Sequence, residues 1–246
     1  MSVFELDELN VKHVSRQYGR RRALARVTFQ VQSGQVVGLL GPKGAGKSTL
    51  LGILATLIAP SSGNVFYGGK SSKDLGSVLR RQIGFLSHDL QIYPELTAKE
   101  NLEFFANLYG EMKPDVLVAK ALERARLSDR ADDTVDGFSR GMRQSLALER
   151  ALLHEPRLVL LDEPFTGLDD RSIDELSERL RAIGRAGRMV IFATHDLDVA
   201  EGVVDRALVL RSGRIALVQD GSSSLRTRYR AMLHESPNVG NGGNYG

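Results

Sequence analysis

Gly41-Pro42-Lys43-Gly44-Ala45-Gly46-Lys47-Ser48-Thr49 follows a short apolar run, Gln35 to Leu40, and opens a stretch of apolar residues at helical spacing. It fits the pattern G-x-x-x-x-G-K-[ST] in the setting that pattern needs, after a strand and before a helix. Glycines let the backbone curl so that successive N–H groups point inward at phosphate oxygens. The helix that follows adds the positive end of its dipole. Lys47 is placed to reach β- and γ-phosphates, and the Ser48 hydroxyl to ligate Mg²⁺. Lys43 stands at a variable position of the loop and has no role of its own. The bland alternative is a glycine-rich turn that happens to precede a lysine.

Working outward, a second signal lies at Leu158-Val159-Leu160-Leu161-Asp162-Glu163-Pro164, an apolar strand ending in two acids. Ligands of open parallel sheets sit at the carboxyl ends of strands. Asp162 is therefore expected to face the phosphate loop and hold Mg²⁺ through water, with Glu163 one residue further out to polarise an attacking water. Without the phosphate loop, the same residues read equally well as a strand-end turn with solvated acids.

The remaining pattern is that of an α/β chain. Residues 9 to 40 read as strands, with Val27, Phe29 and Val31 alternating with polar neighbours. A helix is expected from Lys47 to Ile58, closed by Pro60. Residues 61 to 85 are Ser- and Gly-rich with short strand-like pieces. Residues 96 to 127 are helical in pattern, with Thr97 and Glu100 as a capping box and Pro114 as a break. Further helices are expected from about Arg140 to Leu153 and behind a Ser172/Glu175 cap. Met189 to Ala193 reads as a strand, and 207 to 218 as a hairpin around Ser212-Gly213. Strands alternating with helices predict a mostly parallel sheet. The helical stretch from about 87 to 155 interrupts that alternation and is read as an inserted subdomain of a single domain spanning 1 to 235. Residues 222 to 235 read as a basic helix, whose Arg226, Arg228 and Arg230 are expected on a solvated face. The Gly/Asn-rich tail, 236 to 246, is expected to be disordered.

Composition excludes several classes. The 246 residues are 42% hydrophobic and 26% charged, with 33 basic and 30 acidic residues and a formal charge of +3. That balance names no nucleic-acid or membrane partner. There is no Cys, which removes disulfide scaffolds, Cys-based zinc sites and Cys nucleophiles and fits a reducing compartment. The first 13 residues are acidic and lack the apolar core of a secretory signal. The most apolar run, Leu50 to Ala59, is half of the roughly 20 residues a membrane span needs. A soluble chain is expected, with any membrane role supplied by another.

Phe138-Ser139-Arg140-Gly141-Met142-Arg143-Gln144, followed by a Leu-rich helix and then Asp162-Glu163, resembles the S-x-G-x-x-Q signature of ATP-binding-cassette (ABC) ATPases. The resemblance covers nearly the whole chain in the right order. It implies an ABC-type α/β fold with an N-terminal antiparallel part, and ATP and Mg²⁺ as ligands. It also implies a head-to-tail pair with a second copy or a homologous ATPase subunit. Ser139, Gly141 and Gln144 then bind the γ-phosphate held by the partner's loop; taken alone, Ser139-Arg140-Gly141 reads as a helix cap, and a helix N-terminus is an anion site. Tyr18 falls where the family stacks an aromatic on adenine, and otherwise reads as an edge-strand aromatic. Gly167-Leu168-Asp169 resembles the loop coupling the two sites. His195, in Ala193-Thr194-His195-Asp196, resembles the switch histidine that touches the γ-phosphate.

One position departs from the family pattern. After the strand ending near Leu86 the family carries a Gln that contacts Mg²⁺ and the attacking water; here the place belongs to His88, with Gln91 three residues later. A His there, and the stretch Leu96 to Leu102, resemble ATPase subunits of haem exporters in cytochrome c maturation. The Ser139 to Gln144 form instead resembles general export ATPases. The expectation is an ATPase subunit of an exporter at the inner face of the cell membrane. It works with a membrane permease that contacts the segment around His88 to Leu102, and no nucleic acid is expected. A soluble ABC ATPase acting on DNA or ribosomes is the alternative, against which stand the single cassette and the lack of heptads. Intact Lys47, Asp162, Glu163 and His195 argue against a catalytically dead module.

Overall fold

Two sheets share one apolar core in the computed structural model, which describes residues 4–110, 112–220 and 225–234. The first is antiparallel. Strands β1 (Glu8–Tyr18) and β2 (Arg21–Gln32) form a hairpin, β4 (Ser62–Tyr67) lies on the other side of β1, and the short β5 (Lys70–Ser71) closes the edge. Along β2, Val27, Phe29 and Val31 point into the core while their neighbours face water, so the alternation seen in the sequence is the sheet's two faces.

The second sheet runs β10-β9-β3-β8-β7-β6. Its members are β3 (Val36–Leu40), β6 (Ile83–Leu86), β7 (Leu158–Asp162), β8 (Met189–Thr194), β9 (Arg206–Arg211) and β10 (Arg214–Asp220). All pairings are parallel except the β9–β10 hairpin. β3, β7 and β8 are buried at every residue, as expected for strands covered on both faces. Helix α1 (Lys47–Leu54) belongs to the core cluster shared with the antiparallel sheet, while α5 (Arg140–Leu152), α6 (Asp170–Arg185) and α7 (Leu197–Val203) contribute to a second cluster.

Between β6 and β7 the alternation is interrupted by α3 (Ala98–Tyr109) and α4 (Pro114–Ala125), which gather with α5 around a third apolar cluster that includes Leu102, Leu122 and Leu146. Thr97 and Glu100 form the expected reciprocal capping box. Pro114 breaks the stretch by occupying the first turn of α4, where its missing N–H costs nothing.

Three expectations are corrected. The first helix ends at Leu54, not Ile58: Thr56 turns left-handed, and the N–H groups of Leu57 and Ile58 both donate to the Gly52 carbonyl. Ile58 packs so closely that a Cβ on Gly52 would meet it at 2.7 Å. The Ser-rich region after β5 holds a helix, α2 (Ser72–Arg80), missed because Gly76 interrupts it with a positive φ. The cap of α6 is Asp169 rather than Ser172, because its Oδ1 accepts the Ser172 N–H at 2.8 Å and starts the helix three residues earlier. In α8 (Leu225–His234) Arg226 and Arg228 are exposed, and Arg226 also pairs with Asp198 and, at 3.3 Å, with Glu201 of α7. Residues 221–224 and 235–246, including the tail expected to be disordered, lie outside the described residues, as does the Arg230 side chain.

Candidate active site

Strand order assembles the site. β3, β8 and β7 are parallel neighbours in register, with Leu40 beside Thr194 and Ala193 beside Asp162. Their carboxyl ends therefore deliver the phosphate loop, His195 and the Asp162-Glu163 pair to one edge of the sheet. Two glycines make the loop's path possible. Gly41 (φ 143°) lies so close to β9 that a Cβ would sit 2.2 Å from the Leu210 carbonyl oxygen, and Gly46 (φ 109°) is left-handed immediately before α1.

Lys47 is 6% exposed and spans this loop from within. Its Nζ donates to the carbonyls of Gly41 (2.8 Å) and Pro42 (3.3 Å) and lies 3.7 Å from Glu163 Oε1. The lysine charge is thus held by two loop carbonyls beside the Glu163 carboxylate. Glu163 is itself constrained: its backbone N–H donates to the Ala193 carbonyl, its φ is +53°, and both carboxylate oxygens lie 3.0 Å from His195 Nδ1. A positive φ in a non-glycine residue at a strand end is costly and persists only where the surroundings over-determine it.

The donors around Asp162 suit a hard divalent cation held jointly with phosphate. Asp162 accepts a hydrogen bond from Ser48, and its Oδ1 is buried with no partner among the described residues. Burial raises its carboxyl above the ordinary value, against the Ser48 hydrogen bond and the nearby His88 and Lys47 charges. Among the described residues, no group of three or more His, Asp or Glu forms a cage for a metal. One carboxylate and one hydroxyl are what magnesium typically takes from protein when a nucleotide supplies the rest.

A cavity of about 490 Å³ opens over these groups, and Tyr18, Lys43, Gly44, Thr49 and His88 also line it. His88, not Gln91, is the residue of that segment on the cavity. Tyr18 is 44% exposed, and the Arg16 guanidinium lies 4.5 Å from its ring centroid. Two lining residues were not singled out from the sequence: Arg21 and Ala23. The Arg20-Arg21-Arg22 run beside Tyr18 was the available signal, but which of the three turns inward depends on the hairpin.

Ser139, Gly141 and Gln144 do not line this cavity. Ser139 caps α5 by accepting the Met142 N–H at 3.3 Å. The Gln144 amide donates to the Pro164 carbonyl at 3.3 Å, tying the signature helix to the turn after Glu163. Arg140 packs against Gly167, so this helix and the 167–169 loop form one surface.

Comparison with known proteins gives a consistent picture. Residues 24–166 match the family profile described as ABC transporter. The linearmycin resistance ATP-binding protein LnrL of Bacillus subtilis is 31% identical over 212 residues, spanning 85% of this chain and 68% of that protein. The Nod factor export ATP-binding protein I of Rhizobium etli is 35% identical over 208 residues, spanning 84% and 66%. Among solved structures, the dimeric ATP-binding cassette MJ0796 in a post-hydrolysis state bound to ADP and Pi superposes with a TM-score of 0.79. It is 27% identical, over 86% of this chain and 98% of that one.

Proposed function

Because the chain belongs to the ATP-binding subunits of ABC transporters, we propose that it powers an exporter through a separate membrane permease. The chain is an ATPase of that family, which binds ATP with Mg²⁺. Ser48 and Asp162, with phosphate oxygens, would hold Mg²⁺, which would supply charge neutralisation at the β- and γ-phosphates. Lys47 exchanges its loop carbonyls for those oxygens. Tyr18 stacks on the adenine, with Arg16 behind its ring. Glu163 accepts a proton from the attacking water, and His195 holds that carboxylate in place through Nδ1 and contributes to binding the γ-phosphate. His88 takes the water-facing place of the family's glutamine.

Ser139, Gly141 and Gln144 act in trans, on the nucleotide of a second copy; their position outside the cavity of their own chain supports this. Closure and release of the pair move the permease. The docking face includes the His88 to Leu102 segment and α3, where Tyr93 packs edge-on to Phe104 at 5.3 Å and both rings are exposed. Among the described residues no helix is long and apolar enough to cross a membrane. The proposed location is the cytoplasmic face of the cell membrane.

Export is supported by the relatives named for Nod factor export and linearmycin resistance. Within that reading, His88 and the Leu96 to Leu102 stretch support haem export for cytochrome c maturation as the subfamily. The observation that carries the function is the convergence of Lys47, Asp162, Glu163 and His195 at the ends of three adjacent parallel strands. Calorimetry with MgATP tests it: the wild-type chain binds and Lys47→Ala does not, while a folded wild-type protein without affinity for MgATP overturns the reading.

A further inference from the structure

A separate cavity of about 360 Å³, which shares no lining residue with the nucleotide cavity, has an unusual lining. Four guanidiniums surround it: Arg16 from β1, Arg22 and Arg26 from β2, and Arg214 from β10. Among the described residues no carboxylate lines it, and none of the four arginines makes an ion pair. The whole chain carries a formal charge of only +3, so four uncompensated cations around one cleft are not a consequence of composition.

The other polar groups share this bias toward donors. Ser15 Oγ accepts the Arg26 N–H at 3.0 Å, and Ser61 Oγ accepts the Gln17 N–H at 3.1 Å. With their oxygens engaged by backbone, both hydroxyls have a proton left to donate. Arg16 is anchored by Nη1 to the Ala59 carbonyl at 3.0 Å, yet its Nε is buried without a partner. The backbone aims Arg26 by a bulge: pairing of β1 with β2 shifts between Val14 and Arg16, Arg26 has φ +55°, and the Ala25 N–H goes to the Gly213 carbonyl instead of to β1. The same hydrogen bond brings the β9–β10 turn, and Arg214 with it, to the cleft.

We propose that this cleft is a binding site for a phosphate-bearing polyanion, separate from the nucleotide cavity. Planar guanidinium forks match phosphate oxygens bidentately, and serine hydroxyls add donors at a cleft that offers few acceptors. The phosphates belong either to a free polyphosphate chain or to lipid headgroups. Arg16 is the wall between the two cavities, since it lines this one and backs Tyr18, which lines the other.

The test uses the full chain carrying Lys47→Ala, which weakens phosphate binding at the loop. Calorimetry with sodium tripolyphosphate at low salt is expected to show one site per chain. Adding Arg26→Glu and Arg214→Glu is expected to weaken it about tenfold or more, because two charge-assisted contacts become repulsive. Arg26→Gln with Arg214→Gln is expected to give a smaller loss and, with its thermal melt, separates lost contacts from misfolding. Flotation with phosphatidylglycerol vesicles, against phosphatidylcholine, is the lipid arm. Arginine-dependent binding to tripolyphosphate alone assigns a free polyphosphate, and to anionic vesicles assigns headgroups. Binding to neither, or binding unchanged in the arginine variants, overturns the site.

Discussion

His195 presents Nδ1 at 3.0 Å from both carboxylate oxygens of Glu163, across the ends of the adjacent strands β8 and β7. The proposed base is thus oriented before substrate arrives. Glu163→Gln keeps the shape and removes the proton acceptor. MgATP binding is expected to stay within a few-fold of wild type, hydrolysis to fall on the order of a hundredfold or more, and a dimer to accumulate on gel filtration with ATP. Hydrolysis at the wild-type rate would falsify the assignment of Glu163 as base.

Replacing His195 by Ala removes the orienting contact and leaves the carboxylate in place. Turnover is expected to drop by roughly tenfold to a hundredfold with a smaller change in MgATP affinity. Steady-state kinetics separate the two, and an effect confined to KM contradicts the orienting role.

Tyr18 lines the cavity and has the Arg16 guanidinium 4.5 Å from its ring centroid. Stacking on a base contributes about 1–3 kcal/mol, so Tyr18→Ala is expected to weaken ATP binding roughly tenfold while Tyr18→Phe stays near wild type. Equal losses in the two variants point to the hydroxyl and not the ring.

Glu149 is fully buried on α5, and two guanidiniums hold it: Arg124 of α4 at 2.9 Å and Arg179 of α6. The triad joins three helices. Glu149→Ala leaves two cations facing each other without their anion and is expected to lower unfolding free energy by about 3 kcal/mol in urea titrations. The apolar replacement Glu149→Leu together with Arg179→Leu is expected to recover part of that loss; failure to do so shows that the ion triad itself, not charge compensation, stabilises the packing.

His154 is stacked on Tyr109 with centroids 3.8 Å apart, and its Nε2–H donates to the Ile83 carbonyl at 3.1 Å. Burial, with the Arg150 charge adding to it, lowers its pKa from 6.5 to about 4, against the Ile83 hydrogen bond. The folded state disfavours the imidazolium while the unfolded chain accepts a proton near 6.5. Stability from this group is therefore complete above pH 6.5 and is lost progressively as pH falls toward 4, by up to about 3 kcal/mol. Urea midpoints from pH 7 to 4 are expected to fall more steeply for wild type than for His154→Phe; parallel curves exclude this origin.

What the sequence determined by itself was everything written in short spacings. The phosphate loop, the acids at the end of an apolar strand, the Thr97/Glu100 box and the Ser139 cap are each set by contacts within a few residues, where bond geometry leaves little choice. Even there, Asp169 displaced Ser172 as a cap, and Ile58 folded back over Gly52 instead of extending its helix. The tertiary structure decided what depends on distant partners. Only the order β3-β8-β7 sets His195 on Glu163, only the hairpin turns Arg21 and not its neighbours into the cavity, and only three packed helices give Glu149 its arginines. Those relationships follow from burying apolar faces contributed by residues far apart in the chain, which no local pattern encodes.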